Sequence, residues 1–232
     1  MITSLSNKTF KLYKSLKLKK YRDQHHLFLV YGTHMIDKAK QKDVILEIIT
    51  SDPNKEGTLY HEDLIKELQQ TETFIDHIAI CKKEQHPQKS HKILMLDDIQ
   101  DPDNVGALFR SAAAFGFTHV ILSMQSADLY NEKVIRASKG AIFDCYAERK
   151  PLIPSILDLK KEGYQVVYAD AHDKGEAFYN DKVILILGNE GHGIHDDIKK
   201  ISDRAIHIPT KHVESLNVSV AGAILMYEWS KI

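Results

Sequence analysis

The chain has 232 residues, a formal net charge of −1, 43% hydrophobic and 27% charged residues, and 6 prolines. That balance excludes a mainly disordered chain, and the length supports one large domain or a small domain joined to a medium one. Cys81 and Cys145 stand far apart and form no CxxC or metal-ligand pair, so zinc is not implied and a reducing, cytoplasmic setting is expected. The start, "MITSLSNKTFKLYK", lacks the apolar core of a signal peptide, and no apolar run reaches membrane-spanning length, so no membrane partner is expected.

In chain order, the first feature is a local charge bias. Residues 1–22 carry Lys8, Lys11, Lys14, Lys17, Lys19, Lys20 and Arg22 and no acid. On one continuous helix, Lys8, Lys11, Lys19 and Arg22 would share a sector of about 80°, with Tyr13 and Tyr21 interleaved. Both a phosphate-facing stripe and a plain solvated face fit that pattern. An extended run "HLFLVYG" (His26 to Gly32), a helix over Met35 to Lys42 and a strand "VILEIIT" (Val44 to Thr50) follow. This reads as a small α/β domain over residues 1–82. The polar "CKKEQHPQKSHK" has a proline and no periodicity, which marks a linker at 83–91 and a second domain at 92–232.

In the second part, strands are expected at "KILMLD" (Lys92 to Asp97), "HVILS" (His119 to Ser123), "QVVYAD" (Gln165 to Asp170), "VILILG" (Val183 to Gly188) and "AIHIP" (Ala205 to Pro209). Short, branched and almost unbroken in apolarity, they predict a parallel sheet covered on both faces by helices, an α/β fold. Ligands of such sheets collect at the carboxyl ends of the strands, so the loops after Leu96, Leu187 and Ile208 are where chemistry is sought.

The first loop, "DDIQDPDNVGALFRSAAAFGF" (Asp97 to Phe117), opens a slender helix at Pro102 with Asp103 or Asn104. Asn104 reads as a cap or as a ligand contact. Arg110 stands among Leu108, Phe109 and alanines, where its charge needs either Asp97, Asp98 or Asp101, or an anionic ligand. The second loop, "LGNEGHGI" (Leu187 to Ile194), matches neither a GxGxxG fingerprint nor a P-loop. Its glycines offer bare backbone amides, while Glu190 disfavours phosphate and suits a hydroxyl, an amine or a cation, or else is a solvated turn residue. His192 is expected to be exposed. In the third loop, Ser215, Asn217 and Ser219 lead into an apolar helix. One of them serves as a cap, and three together point to something polar bound there. Val220, Ala223 and Ile224 are expected to form an apolar seam, with Ala221 and Gly222 keeping the helix slim.

Together, "DPDNVGALFRSA", "LILGNEGHGI" and "IPTKHVESLNVSVAGAILMYE", with "RASKGAIF" between the first two, resemble the SpoU family of RNA ribose methyltransferases in the SPOUT superfamily. "KYRDQHHLFLVYGTHMIDKA" is similar to the ribosomal-protein-like substrate-binding domain found in that family, although Tyr31 precedes Gly32 where relatives commonly have Glu. The resemblance implies a parallel sheet ending in a deep trefoil knot, an exception to the rule against knots. It also implies a homodimer and methyl transfer from S-adenosylmethionine to a ribose 2′-hydroxyl of structured RNA. Ribosomal RNA is favoured over transfer RNA, because relatives that modify transfer RNA often lack the accessory domain; no DNA partner is implied. A non-catalytic RNA-binding assembly factor and a base methyltransferase are the alternatives. By the same resemblance, Leu187, Gly188, Ile208 and Leu216 hold the cofactor. Asn104, Arg110, Glu190, Ser215 and Asn217 surround the reacting ribose and its phosphate.

Overall fold

The computed structural model describes residues 2–70, 73–85, 87, 90–171 and 180–231. Residues 86, 88 and 89 of the expected linker lie outside the described residues. The N-terminal part runs α1 (Lys8–Ser15), α2 (Lys19–His25), β1 (Leu27–Tyr31), α3 (Thr33–Lys40), β2 (Ile45–Thr50), β3 (Thr58–Leu59), α4 (Glu62–Leu68) and β4 (His77–Lys82). Its sheet has the order β1-β4-β2-β3, with β4 antiparallel to β1 and β2, and β3 parallel to β2.

The single basic helix expected at the N-terminus is two helices. Leu18 takes extended backbone (φ −98°, ψ 131°) ahead of α2, which breaks the helical phase, so Lys8 and Lys11 share no continuous stripe with Lys19 and Arg22. Arg22 is not on a solvated face. It is 6% exposed, pairs with Asp128 at 2.6 Å and donates to the carbonyls of Leu16 and Lys17, each at 2.8 Å. The carbonyls past the end of α1 and the carboxylate of Asp128 engage both terminal nitrogens of the guanidinium and leave Nε without a partner, so its desolvation is offset in part. Removing one partner of such a pair strands the other charge, so Arg22→Ala is expected to destabilise the chain by about 3–5 kcal/mol in chemical unfolding. A change under 1 kcal/mol would mean that Asp128 finds water or another cation.

The C-terminal part runs β5 (Lys92–Asp97), α5 (Pro102–Phe115), β6 (His119–Leu122), α6 (Glu132–Ser138), β7 (Tyr146–Arg149), α7 (Leu152–Lys161), β8 (Gln165–Ala169), β9 (Val183–Gly188), α8 (Asp196–Ile201), β10 (Arg204–Ile206) and α9 (Val218–Ser230). Its sheet has six strands in the order β10-β8-β9-β5-β6-β7, and every pairing is parallel. Leu94 and Leu96 of β5 point into one apolar cluster and Ile93 and Met95 into another, so both faces are covered, as the unbroken apolar runs predict. The first cluster continues into Phe28, Val30 and Met35 of the N-terminal part, and the Phe28 and Tyr130 rings lie 4.6 Å apart.

Helix α9 turns one side to this core through Gly222, Leu225, Met226 and Trp229. At Gly222 a Cβ would come within 2.5 Å of Leu108 Cδ2 and 2.6 Å of Leu187 Cδ1, so a side chain there would displace both leucines where the helix lies against α5 and β9. The expected seam of Val220, Ala223 and Ile224 is not the packed one: Val220 is 48% and Ile224 38% exposed, and Tyr227 beside them 49%. Both cysteines are buried, and burial pushes each thiol up to about 12, which leaves them protonated parts of the core. Among the described residues, no helix is long and apolar enough to cross a membrane.

Candidate active site

The sheet order sets the place of the site. From β5 the chain moves outward through β6 and β7, then returns to the opposite side of β5 for β8 and β9. That reversal leaves a crevice at the carboxyl ends of β5 and β9, where Asp97 and Gly188 are paired. A cavity of about 580 Å³ opens beside it, lined by Leu187, Gly188, Glu190, Ile208, Ser215, Leu216 and Asn217 among others. The volume lies inside the range of about 300–1,000 Å³ usual for small-molecule sites. A more open depression of about 890 Å³, lined by Thr3, Lys17 and His61, lies on the N-terminal part, away from all three loops.

Asp101, not Asp103 or Asn104, caps α5: its Oδ1 accepts from the Asp103 amide at 2.9 Å, with Pro102 at the first helical position. Asn104 is therefore free to act as a bridge. Its Nδ2 donates to Glu190 Oε1 at 2.6 Å, and its Oδ1 accepts from Asn217 Nδ2 at 3.1 Å, joining the three loops through one 8% exposed side chain. Asn217 caps α9 with its own Oδ1, which accepts from the Ser219 amide (2.9 Å), the Ser219 hydroxyl (2.6 Å) and the Val220 amide (3.4 Å). Ser219 is thus absorbed by the cap, whereas Ser215 is exposed at the cavity wall. Truncating the bridge leaves Glu190 and Asn217 without these partners. Asn104→Ala is expected to cost about 1–3 kcal/mol in a denaturant titration, and an unchanged midpoint would show that water replaces the amide.

The turn after β9 is held by Asn189, a residue the sequence reading passed over. Its Oδ1 accepts from the Gly191 amide at 2.8 Å and the His192 amide at 3.3 Å, and its Nδ2 donates to the Asp98 carbonyl at 2.8 Å. An Asn that closes a turn on backbone two residues ahead is a readable signal in "GNEGHG". Asp97, 2% exposed, accepts from the His195 amide at 2.9 Å and stands 3.0 and 3.1 Å from His195 Nδ1. The hydrogen bond to Asp97 holds the His195 imidazole above its usual pKa, against a smaller opposing effect of burial. His192 is exposed, as expected.

Arg110 does not join the group. Six residues past Asn104, it lies about 120° around the helix and about 9 Å along it. It is exposed, does not line the cavity, and among the described residues has no ion pair with Asp97, Asp98 or Asp101. The expected burial among apolar neighbours fails because Leu108 and Phe109 turn to the core while position 110 turns out.

The cavity suits a nucleoside-bearing cofactor. Leu187, Ile206, Ile208, Leu216 and Leu225 give it apolar walls. Among the described residues, Ile208 and Leu216 make no main-chain hydrogen bond, so their amides and carbonyls are available at its rim. Residues 91–227 match the SpoU rRNA Methylase family, and residues 7–91 match the MRM3-like substrate binding domain. The chain belongs to the SpoU rRNA methylase family. Over 97% of its length, and 97% of the relative's, it is 32% identical to the 23S rRNA (guanosine(2553)-2′-O)-methyltransferase RlmP of Bacillus subtilis. A TrmH-family RNA methyltransferase structure from Porphyromonas gingivalis superposes with a TM-score of 0.84 at 28% identity, covering 97% of this chain and 98% of the other. The SpoU methyltransferase AviRb from Streptomyces viridochromogenes, solved with AdoMet, gives 0.83 at 23% identity, covering 97% of each chain, and shares the fold. This SpoU chain accordingly has the SPOUT α/β fold with its C-terminal trefoil knot, and it is a methyltransferase.

Proposed function

We propose that this SpoU protein methylates a ribose 2′-hydroxyl of ribosomal RNA, and that the bridge Glu190–Asn104–Asn217 at the mouth of the cavity is the observation that carries this reading. When bound, S-adenosylmethionine supplies an electrophilic methyl group on a sulfonium. Leu187, Gly188, Ile208 and Leu216 hold it by apolar walls and main-chain groups. Glu190, Ser215 and Asn217 offer the acceptors and donors that place a ribose hydroxyl in line, and Asn104 fixes two of them relative to each other. In this reading Arg110, which is exposed and lies outside the cavity, clamps an RNA phosphate once RNA is bound and stabilises negative charge as the hydroxyl loses its proton. A guanidinium keeps its own proton, so the hydroxyl proton leaves to water.

In this reading residues 1–82 bind RNA and residues 92–232 carry the chemistry, joined by the linker at 83–91. Support for ribosomal RNA comes from RlmP, whose name specifies 23S rRNA, and from similarity extending through the N-terminal part. Cytoplasmic residence follows from that substrate. Homodimerisation belongs to the same reading and is supported by the row Val220, Ile224 and Tyr227 on α9, which exposes apolar side chains next to the cavity-lining Ala221 and Val218.

The test is transfer of labelled methyl from S-adenosylmethionine to RNA from a strain lacking the gene. Label is expected in ribosomal RNA at one alkali-resistant linkage. Label confined to transfer RNA would replace the substrate, and alkali-sensitive label on a base would overturn the ribose assignment.

A further inference from the structure

Next to the Asn189 turn lies a group of side chains to which the proposed methyl transfer assigns no role, one of which, His192, also lines the cavity. Asp98, His192 and His195 each offer one ligand atom, and these atoms lie within 4.8 Å of one another. They come from three different places: the loop after β5, the glycine-rich turn after β9, and the residue that precedes α8. The geometry points to a divalent transition-metal site, best suited to Zn²⁺, formed by the Asp98 carboxylate and the imidazoles of His192 and His195.

Each ligand is prepared for that role. The His195 ring is oriented by the buried Asp97 carboxylate against Nδ1, which places the ring proton on Nδ1. The lone pair of Nε2 then faces outward, 3.8 Å from Asp98 Oδ2. A carboxylate behind the far nitrogen of a histidine is the usual outer support of a metal-binding imidazole, because it fixes the tautomer and raises the basicity of the ligating atom. Asp98 is divided in the same way. Its Oδ1 accepts from the Ser123 hydroxyl at 2.6 Å, while its other oxygen is turned toward His195.

The Asp98 backbone is held in the left-handed region, φ 58°, a conformation that costs energy outside glycine. Two contacts keep it there: its amide donates to Ser123 Oγ at 3.0 Å, and its carbonyl accepts from Asn189 Nδ2 at 2.8 Å. His192 completes the set. Its ring meets that of His195 edge-on, 4.9 Å between centroids, and its exposure leaves it free to rotate. Ligand atoms at about 2.0–2.1 Å from zinc stand about 3.3 Å apart in a tetrahedron, so a rotation of His192 brings the set to coordination distance. Two imidazoles and a carboxylate suit zinc and leave one position for water. Cys81 and Cys145 are buried elsewhere, and this set contains no cysteine. A bound ion would fasten the turn that carries Glu190 to the end of β5.

The test uses the untagged, full-length chain, stripped with a chelator and titrated with Zn²⁺ by calorimetry, with Co²⁺ as a spectroscopic probe. One Zn²⁺ per chain is expected, with d–d absorption when Co²⁺ is added. His192→Ala, at an exposed position that leaves folding unchanged, is expected to lower zinc affinity at least tenfold and to remove the Co²⁺ bands. Asp97→Asn is expected to lower affinity about 10–100-fold, the usual effect of losing an outer-sphere carboxylate. His25→Ala, at an exposed helical position remote in sequence, serves as the control and is expected to bind like the wild type. Absence of saturable Zn²⁺ binding, or equal affinity in the wild type and His192→Ala, would overturn the site.

Discussion

Arg110→Ala is expected to slow methyl transfer by about 10²–10³-fold while leaving S-adenosylmethionine affinity within about twofold of the wild type. The rate effect follows from the proposed role, in which the Arg110 charge on the RNA phosphate offsets negative charge that develops only as the hydroxyl reacts; 10²-fold corresponds to about 2.7 kcal/mol of barrier. Unchanged cofactor binding follows from geometry, since Arg110 lies outside the cavity and on the exposed side of α5. Stability should move by no more than about 0.5 kcal/mol, as for most exposed positions. Arg110→Lys restores a charge without the planar fork and is expected to retain measurable activity. Complete loss in the lysine variant with RNA binding unchanged would count against simple charge stabilisation and toward a more specific role for the guanidinium.

Gly188→Ala is expected to act on the opposite term, lowering cofactor affinity more than tenfold, or about 1.4 kcal/mol of binding energy. A Cβ at this position would lie 2.5 Å from the Gly193 carbonyl carbon and 2.6 Å from its oxygen. Both are backbone atoms in a turn closed by the reciprocal Asn189 and Gly193 hydrogen bonds (3.0 and 2.9 Å), so no side chain can swing aside. The turn itself must move, and with it Glu190 and one wall of the cavity. Gly191→Ala is the control: its Cβ would meet only the Asn189 side-chain oxygen at 3.3 Å, and cofactor affinity should change by less than threefold. Equal losses in both variants, measured by equilibrium dialysis, would show that the turn tolerates no added bulk and that Gly188 has no special place in the pocket.

The parallel sheet was legible because strands buried on both faces need no polar alternation, and the runs at β5, β6, β8 and β9 announce themselves. β7 was not, because an edge strand can be polar: all four of its residues are half-buried, and Glu148 serves His119 and Lys150. Arg22 and Arg110 were each assigned the other's environment. Arg22 sits in a lysine-rich stretch, yet the break at Leu18 carries it to Asp128, a partner far along the chain. Arg110 sits among apolar residues, yet helical phase turns it to solvent. The loops themselves could be chosen from strand ends and unusual polar residues. Their hydrogen bonding could not, because Asn104 meets Glu190 and Asn217 across the whole domain, and no local spacing encodes such a contact.

The position of the cofactor is the central claim. Ultraviolet crosslinking of methyl-labelled S-adenosylmethionine to the intact chain, followed by peptide mapping, locates it without depending on the RNA. The label is expected in peptides containing Leu187 to Ile194 and Ile206 to Leu225, competed away by excess unlabelled cofactor and lost in Gly188→Ala. Saturable label in the peptide that contains His61 and Glu67, beside the larger depression on the N-terminal part, or no saturable label anywhere, would contradict it.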